Sequence, residues 1–364
     1  MLQFAEYLLT AALIFVGLAL VTALVLLSSR GRVTRAKTRK SAVTRAKVAV
    51  GAGAGGGVGA GSEVHVDDEA VNGADGAGVV KLDQVETMGA TAQVVDGADG
   101  VDGVDGAVLD AEPDTGSSSS QAHAGRAPGR SVSVGVFSTG FTIVALILVT
   151  AYLGVRIALT GHGPFTNMHE FAVSFAWGIL VAYLVTYWRF KLRMLSLVVL
   201  PVVGSLLVYA LSIDSGVEPL VPALQNNLLL SLHVGFAILS YGAACVSFGA
   251  AIIYLIWPKL KLKTPRMRFD EVGYKAAVVA FPLMTAMILL GALWANIAWG
   301  RYWGWDPKET AALVTWLLYA AFLHARVVRG WRGTKAAWLL VIGFAAVIFA
   351  YFGNYFFGGL HSYQ

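Results

Sequence analysis

Residues 5–28, AEYLLTAALIFVGLALVTALVLLS, form an unbroken apolar run interrupted by a single charge, Glu6. At about 1.5 Å per residue, such a run is long enough as a helix to cross a hydrocarbon core of about 30 Å. Seven further runs follow, and they predict helices near 136–155, 169–188, 194–213, 228–257, 272–296, 309–328 and 336–357. Only 13% of the residues are charged and 57% are hydrophobic, whereas an ordinary soluble domain is about a quarter charged. The expected fold is therefore an all-α integral membrane protein with about eight transmembrane helices. The first run is expected to be retained, because it lacks a positive start and its basic cluster follows it, the reverse of a signal peptide.

Residues 29–133 differ in kind. They open on Arg30, Arg32, Arg35, Lys37, Arg39, Lys40, Arg45 and Lys47, pass into stretches such as VDGADGVDGVDGAV, and end in GSSSSQAHAGRAPGRS. With so few aromatic or long aliphatic side chains to bury, a disordered low-complexity linker is expected here. The Asp-Gly repeats lack the fixed period of calcium-binding nonapeptides, so no calcium site is expected in them. The domain plan is thus a first helix at 1–28, a linker at 29–133 and a seven-helix domain at 134–364.

Charge sets the orientation. Outside the linker's own basic start, Lys and Arg gather at 189–193, 259–268 with Lys275, and 326–335; the opposite side holds only Arg156, Arg301 and Lys308. The basic side is read as cytoplasmic. Glu6, Glu170, Asp214, Glu218, Asp306 and Glu309 fall on the other side, which makes both termini extracytoplasmic and the linker cytoplasmic.

One extracytoplasmic stretch stands apart, WGRYWGWDPKET at 299–310. Tryptophan collects at membrane interfaces, and that accounts for Trp188, Trp257, Trp331 and Trp338. It accounts poorly for Trp294, Trp299, Trp303 and Trp305 in so short a span, which together resemble a platform for something flat and aromatic. Asp306, Pro307 and Glu309 carry the signature of a helix start: an N-cap, a proline at the first position and a capping box.

Seven histidines occur, and His65 and His123 lie in the linker. His233 opens the fifth helix and His361 follows the eighth, so both reach the face that holds the tryptophans. Two neutral imidazoles on opposite faces of one ring are what a bis-histidine haem iron requires. His324 lies within the seventh helix, about 22 Å past its cap; an intramembrane polar group is a functional candidate that ordinarily faces the bundle interior. His162 and His169 are read as loop and interface residues. The single cysteine, Cys245, excludes a disulfide framework or a Cys-x-x-Cys redox pair within the chain.

WGRYWGWDPKET resembles the tryptophan-rich WWD signature of the haem-handling proteins of cytochrome c biogenesis, and WDPKET is similar to the CcsA branch, also called ResC or CcsB. GHGPFTNMHEF, PLVPALQNNLLLSLHV, FPLMTAMILLGALWANIAWG, LLYAAFLHAR and GGLHSY extend the resemblance over roughly residues 136–364. It implies that His233 and His361 are axial ligands of haem b at the outer face, flanked by the external WWD loop at 294–309 with Trp294, Trp299, Trp303, Trp305 and Asp306. It implies that His324 belongs to an inner haem site whose other ligand comes from a Ccs1/ResB-type membrane protein. The two chains would then act as a cytochrome c synthase (system II), attaching haem to the Cys-x-x-Cys-His motif of apocytochrome c, with a thioredoxin-like protein keeping thiols reduced. The site would be a bacterial plasma membrane, or a thylakoid in a plastid. The long linker departs from the family core, and His169 stands where that family has tyrosine. A haem or planar-solute transporter without attachment activity, or a purely structural anchor, are the rival readings; no nucleic-acid partner is expected.

Overall fold

The computed structural model describes residues 2–52, 134–216, 227–260, 262 and 264–361. Among them are eight α-helices and no strand: α1 Leu2–Ala52, α2 Val134–Thr160, α3 Met168–Phe190, α4 Ser196–Ser212, α5 Asn227–Leu260, α6 Arg266–Trp299, α7 Pro307–Val327 and α8 Thr334–Phe356. All eight contain a stretch long and apolar enough to cross a membrane. The chain is an integral membrane protein with several spans. Glu218, one of the acids used above to set orientation, and the linker from residue 53 to 133 lie outside the described residues.

The chain divides into two units, residues 1–44 with 130–364, and residues 45–129, the second described only at the end of α1. The first helix does not stop at residue 28 but runs on to Ala52. Its continuation lacks proline and is rich in Ala, Arg and Lys, the residues that lose least on entering a helix. A shortage of core-forming side chains argues against a packed domain; it does not argue against a helix.

Within the membrane-spanning part of α1, the buried positions are Ala5, Leu9, Ala12, Val16, Ala19 and Ala23, spaced by fours and threes along one stripe. Small residues on that stripe allow close approach of a neighbour, and α2 supplies it: Ser138 Oγ donates to the Ala19 carbonyl at 3.0 Å, and Phe15 meets Phe141 at 5.9 Å. The other face of α1 exposes Phe4, Tyr7, Ile14, Leu18 and Val21, a surface suited to lipid and unsuited to water.

The most buried helix is α5, packed against α3, α4, α6 and α8. Buried ion pairs hold the bundle at both ends. At one end Arg156 and Glu170, each almost fully buried, pair at 2.7 Å, and the Arg156 guanidinium also donates to the Ser215 and Gly216 carbonyls. At the other end Arg326 pairs with Asp270 at 2.6 Å while Asp270 accepts from Gly333 N–H, joining α6, α7 and the start of α8.

Candidate functional site

The helix ends that carry the site are fixed by local chemistry. Helix α6 terminates because Gly300 takes a left-handed conformation, φ +70°, where glycine meets no Cβ penalty. The chain then turns through the tryptophan loop into α7, which starts with the full capping box: Asp306 accepts from Lys308 N–H at 3.1 Å, and Glu309 accepts from Asp306 N–H at 3.2 Å. Glu309 also accepts from Gly304 N–H at 2.8 Å, drawing the loop onto the helix start.

The second carboxylate oxygen of Asp306 reaches further. It accepts from Leu360 N–H at 2.6 Å, and the cap-bonded oxygen also accepts from His361 Nδ1 at 2.8 Å. One buried carboxylate therefore starts α7 and anchors the segment after α8. Gly359 is required beside it, since a Cβ there would collide with Asp306.

His233, in the first turns of α5, donates from Nδ1 to the Met287 carbonyl of α6 at 2.8 Å. Gly291 makes room for it, because a Cβ at that position would lie 2.7 Å from the imidazole. Both histidines thus spend Nδ1–H on an acceptor, which in the neutral tautomer places the lone pair on Nε2. Burial is the largest influence on His361 and pushes its pKa down, outweighing the raising pull of Asp306. Burial would raise Asp306, but its carboxyl is held below the ordinary value by the His361 hydrogen bond, with Lys308 and Leu360 N–H adding to the effect. At neutral pH the pair is a neutral imidazole on an ionised carboxylate.

Trp294 packs near both imidazoles. Its ring is parallel to His233 within 8° at 6.3 Å, and lies 5.7 Å from His361. Trp299 meets both Trp294 and His361 edge-on, at 4.8 and 4.9 Å. The two histidines, Trp294 and Trp303 line one open cleft, whose space including its solvent-filled mouth is about 1450 Å³. Phe175, Tyr241, Met287 and Tyr351 form further parts of its wall, with Phe175 stacked on Tyr241 at 5.6 Å. A mostly apolar, open cleft lined by two imidazoles is a donor set that suits an iron porphyrin.

Not every expected residue takes part in the same way. Trp305 is 70% exposed, contacts Trp303 edge-on at 5.8 Å and does not line the cleft; its backbone is left-handed at φ +56°. The four-ring platform is therefore two rings on the cleft, one behind them and one displayed outside. His324 is exposed on α7, facing away from the bundle interior, and its imidazole makes no hydrogen bond among the described residues. That reverses the expectation of an inward-facing side chain. His169 is fully committed elsewhere: buried, with Nδ1 on the Ala210 carbonyl at 2.8 Å and Nε2 on the Tyr152 hydroxyl. It is a structural bridge between α2, α3 and α4. His162 bonds the Gly163 carbonyl through Nδ1 at 2.9 Å.

These observations define a class: a helical membrane protein in which two histidines and a tryptophan packed near both share a cleft at one end of the bundle. Residues 165–361 match the model of the family described as Cytochrome C assembly protein. The chain belongs to that family, on its CcsA branch, and its role lies in cytochrome c biogenesis. It is 35% identical over 254 residues to the cytochrome c biogenesis protein CcsA of Guillardia theta, which covers 62% of this chain and 84% of that one. It is 40% identical over 236 residues to the CcsA of Chlamydomonas reinhardtii, with coverages of 60% and 66%, and 35% identical over 288 residues to that of Microcystis aeruginosa, with 63% and 87%. The family match opens at the approach to α3 and closes on His361, so it contains every residue that lines the cleft.

Proposed function

We propose that the cleft holds haem b as cargo, its iron taken by Nε2 of His233 and of His361, and presents it at the extracytoplasmic face for covalent attachment to apocytochrome c. The observation that carries this reading is the matched state of the two imidazoles: each is fixed through Nδ1 to a protein acceptor, and both pack near one tryptophan in an apolar cleft. The second hydrogen bond of a metal-ligating histidine sets ring orientation and tautomer, and here both are in place in the protein alone. Trp294 and Trp303 give the ring flat contact area, while bis-imidazole ligation leaves the porphyrin edges unbonded.

At those edges the apocytochrome's two cysteine thiols add across the vinyl double bonds, sulfur to one carbon and hydrogen to the other, with no net oxidation or reduction. The histidine of the same Cys-x-x-Cys-His motif then displaces one of the protein's imidazoles. His233 is held by a neutral carbonyl and His361 by a carboxylate, which makes His361 the stronger donor and His233 the ligand that exchanges. The exposed face of α7 at His324 suits a second, inner haem site completed by a Ccs1/ResB-type partner. A thioredoxin-like protein supplies reduced thiols, since the only cysteine here is buried.

The test is the visible spectrum of the purified chain with its partner. His233→Ala and His361→Ala each lose outer-site haem and maturation of a reporter cytochrome c, whereas His324→Ala keeps the outer-site spectrum. Normal maturation in both outer variants overturns the assignment.

A further inference from the structure

Lys308 is the one lysine among the described residues that line the cleft. Its ammonium lies 5.2 Å from the centre of the Phe171 ring, in the first turn of α3, beside Thr166 and Asn167, which also line the cleft. A cation in an apolar cleft is costly to leave uncompensated. The two carboxylates nearest in sequence are already committed. Asp306 is occupied by His361, Leu360 N–H and Lys308's own backbone N–H, and Glu309 turns back onto Gly304 and Asp306 N–H. Among the described residues, no carboxylate comes within ion-pair distance of Lys308. The ring of Phe171 supplies part of the compensation, and the rest is left to whatever enters the cleft.

We infer that Lys308 is the carboxylate anchor of the site: it pairs with a propionate-type carboxylate of the tetrapyrrole and turns the carboxylate edge of the ring toward the start of α3. This rests on the reading of the cleft as a haem site and adds what that reading lacks, a determinant of in-plane orientation. Two imidazoles fix the iron and the plane of the ring but not its rotation about the axis they define. A single cation at one end of the cleft does fix it, and the edge carrying the vinyl groups then occupies a set position for the incoming thiols. Lysine acts here as a point charge with rotatable donors, which suits a carboxylate on a flexible arm.

The experiment compares iron protoporphyrin IX with its dimethyl ester, in which both carboxylates are masked, on the full chain with its partner. The parent binds the diacid more tightly, by the factor of about 10 to 100 that one charge-assisted hydrogen bond carries. Lys308→Met removes that preference by weakening the diacid alone, and Lys308→Arg retains it. The low-spin bis-imidazole spectrum is the same in all three, because the iron ligands are untouched. Equal affinity of the parent for diacid and diester overturns the inference without any variant. So does a Lys308→Met protein that keeps the parent's preference or loses both porphyrins equally. Absence of a bis-imidazole spectrum with either porphyrin in the parent would instead remove the underlying haem-site reading.

Discussion

Asp306→Asn is the substitution that separates fold from site most cleanly. Asparagine is as good an N-cap as aspartate, and its amide oxygen can still accept from backbone N–H, so α7 keeps its start. The conflict falls on His361. Of the two carboxylate oxygens, one accepts from Leu360 N–H at 2.6 Å and the other from His361 Nδ1 at 2.8 Å. If the amide oxygen stays with Leu360, the amide NH₂ faces both Nδ1–H and the Lys308 N–H of the cap, donor against donor, so the cap favours the other rotamer. In the first rotamer the imidazole relieves its clash by moving its proton to Nε2, which removes the lone pair that would bind iron. If the amide turns instead, the orphaned donor is a buried backbone N–H. Either way a hydrogen bond to a charged group is lost, about 1.5–3 kcal/mol, equivalent to about 10- to 150-fold in ligand affinity. The assay is titration of haem into the purified protein by absorption, alongside thermal unfolding. The expected result is weakened low-spin binding at the outer site, with an unfolding midpoint lowered by no more than one lost hydrogen bond accounts for. Haem affinity and spectrum matching the parent would refute the claim that Asp306 selects the His361 tautomer.

Three other perturbations have defined outcomes. His361 and Asp306 are both held below their ordinary pKa values; for each, the unfolded chain takes up protons at a higher pH than the folded one, so their stabilisation is present at neutral pH and falls on acidification. The outer-site spectrum should accordingly survive below the ordinary histidine value of about 6.5 and then be lost in acid, which a pH titration of the Soret band follows. Gly291→Ala would ordinarily gain about 0.8–1.0 kcal/mol of helix propensity, but its Cβ lies 2.7 Å from the His233 ring and overpacking costs about 1–3 kcal/mol; haem content should fall sharply while the unfolding midpoint moves little. Glu170→Ala leaves the buried Arg156 without its carboxylate partner and should destabilise by about 3–5 kcal/mol, read as a lower unfolding midpoint in detergent.

The spans were legible because a helix in lipid satisfies its own backbone, so length and apolarity alone mark it; predicted and observed limits agree to within a few residues except at α1, the end of α2 and the start of α6. The capping box was legible for the same local reason, since its partners lie within four positions. The second bond of Asp306 was not legible. Its partner is 55 positions away, and nothing in DPKE distinguishes an aspartate that only caps from one that also holds a distant imidazole. His324 and His169 show the opposite difficulty. Each reads as a polar residue in or near a span, yet one is fully bonded in the interior and the other faces outward. The choice depends on which helix packs where, and α7 presents a face at His324 that no helix among the described residues covers.

That one carboxylate serves both α7 and His361 has a consequence for how the site can respond. The cap residue has its backbone set by the helix start, so the oxygen offered to His361 is positioned by α7 rather than by a free loop. Movement of α7 therefore moves the His361 ring with it, and moves Lys308, two residues on in the same helix. His233 is held separately, by α5 and the Met287 carbonyl of α6. The two imidazoles are thus held by different helix ends, His361 through the cap of α7 that also carries Lys308, and His233 through α5 and α6, which carries Trp294.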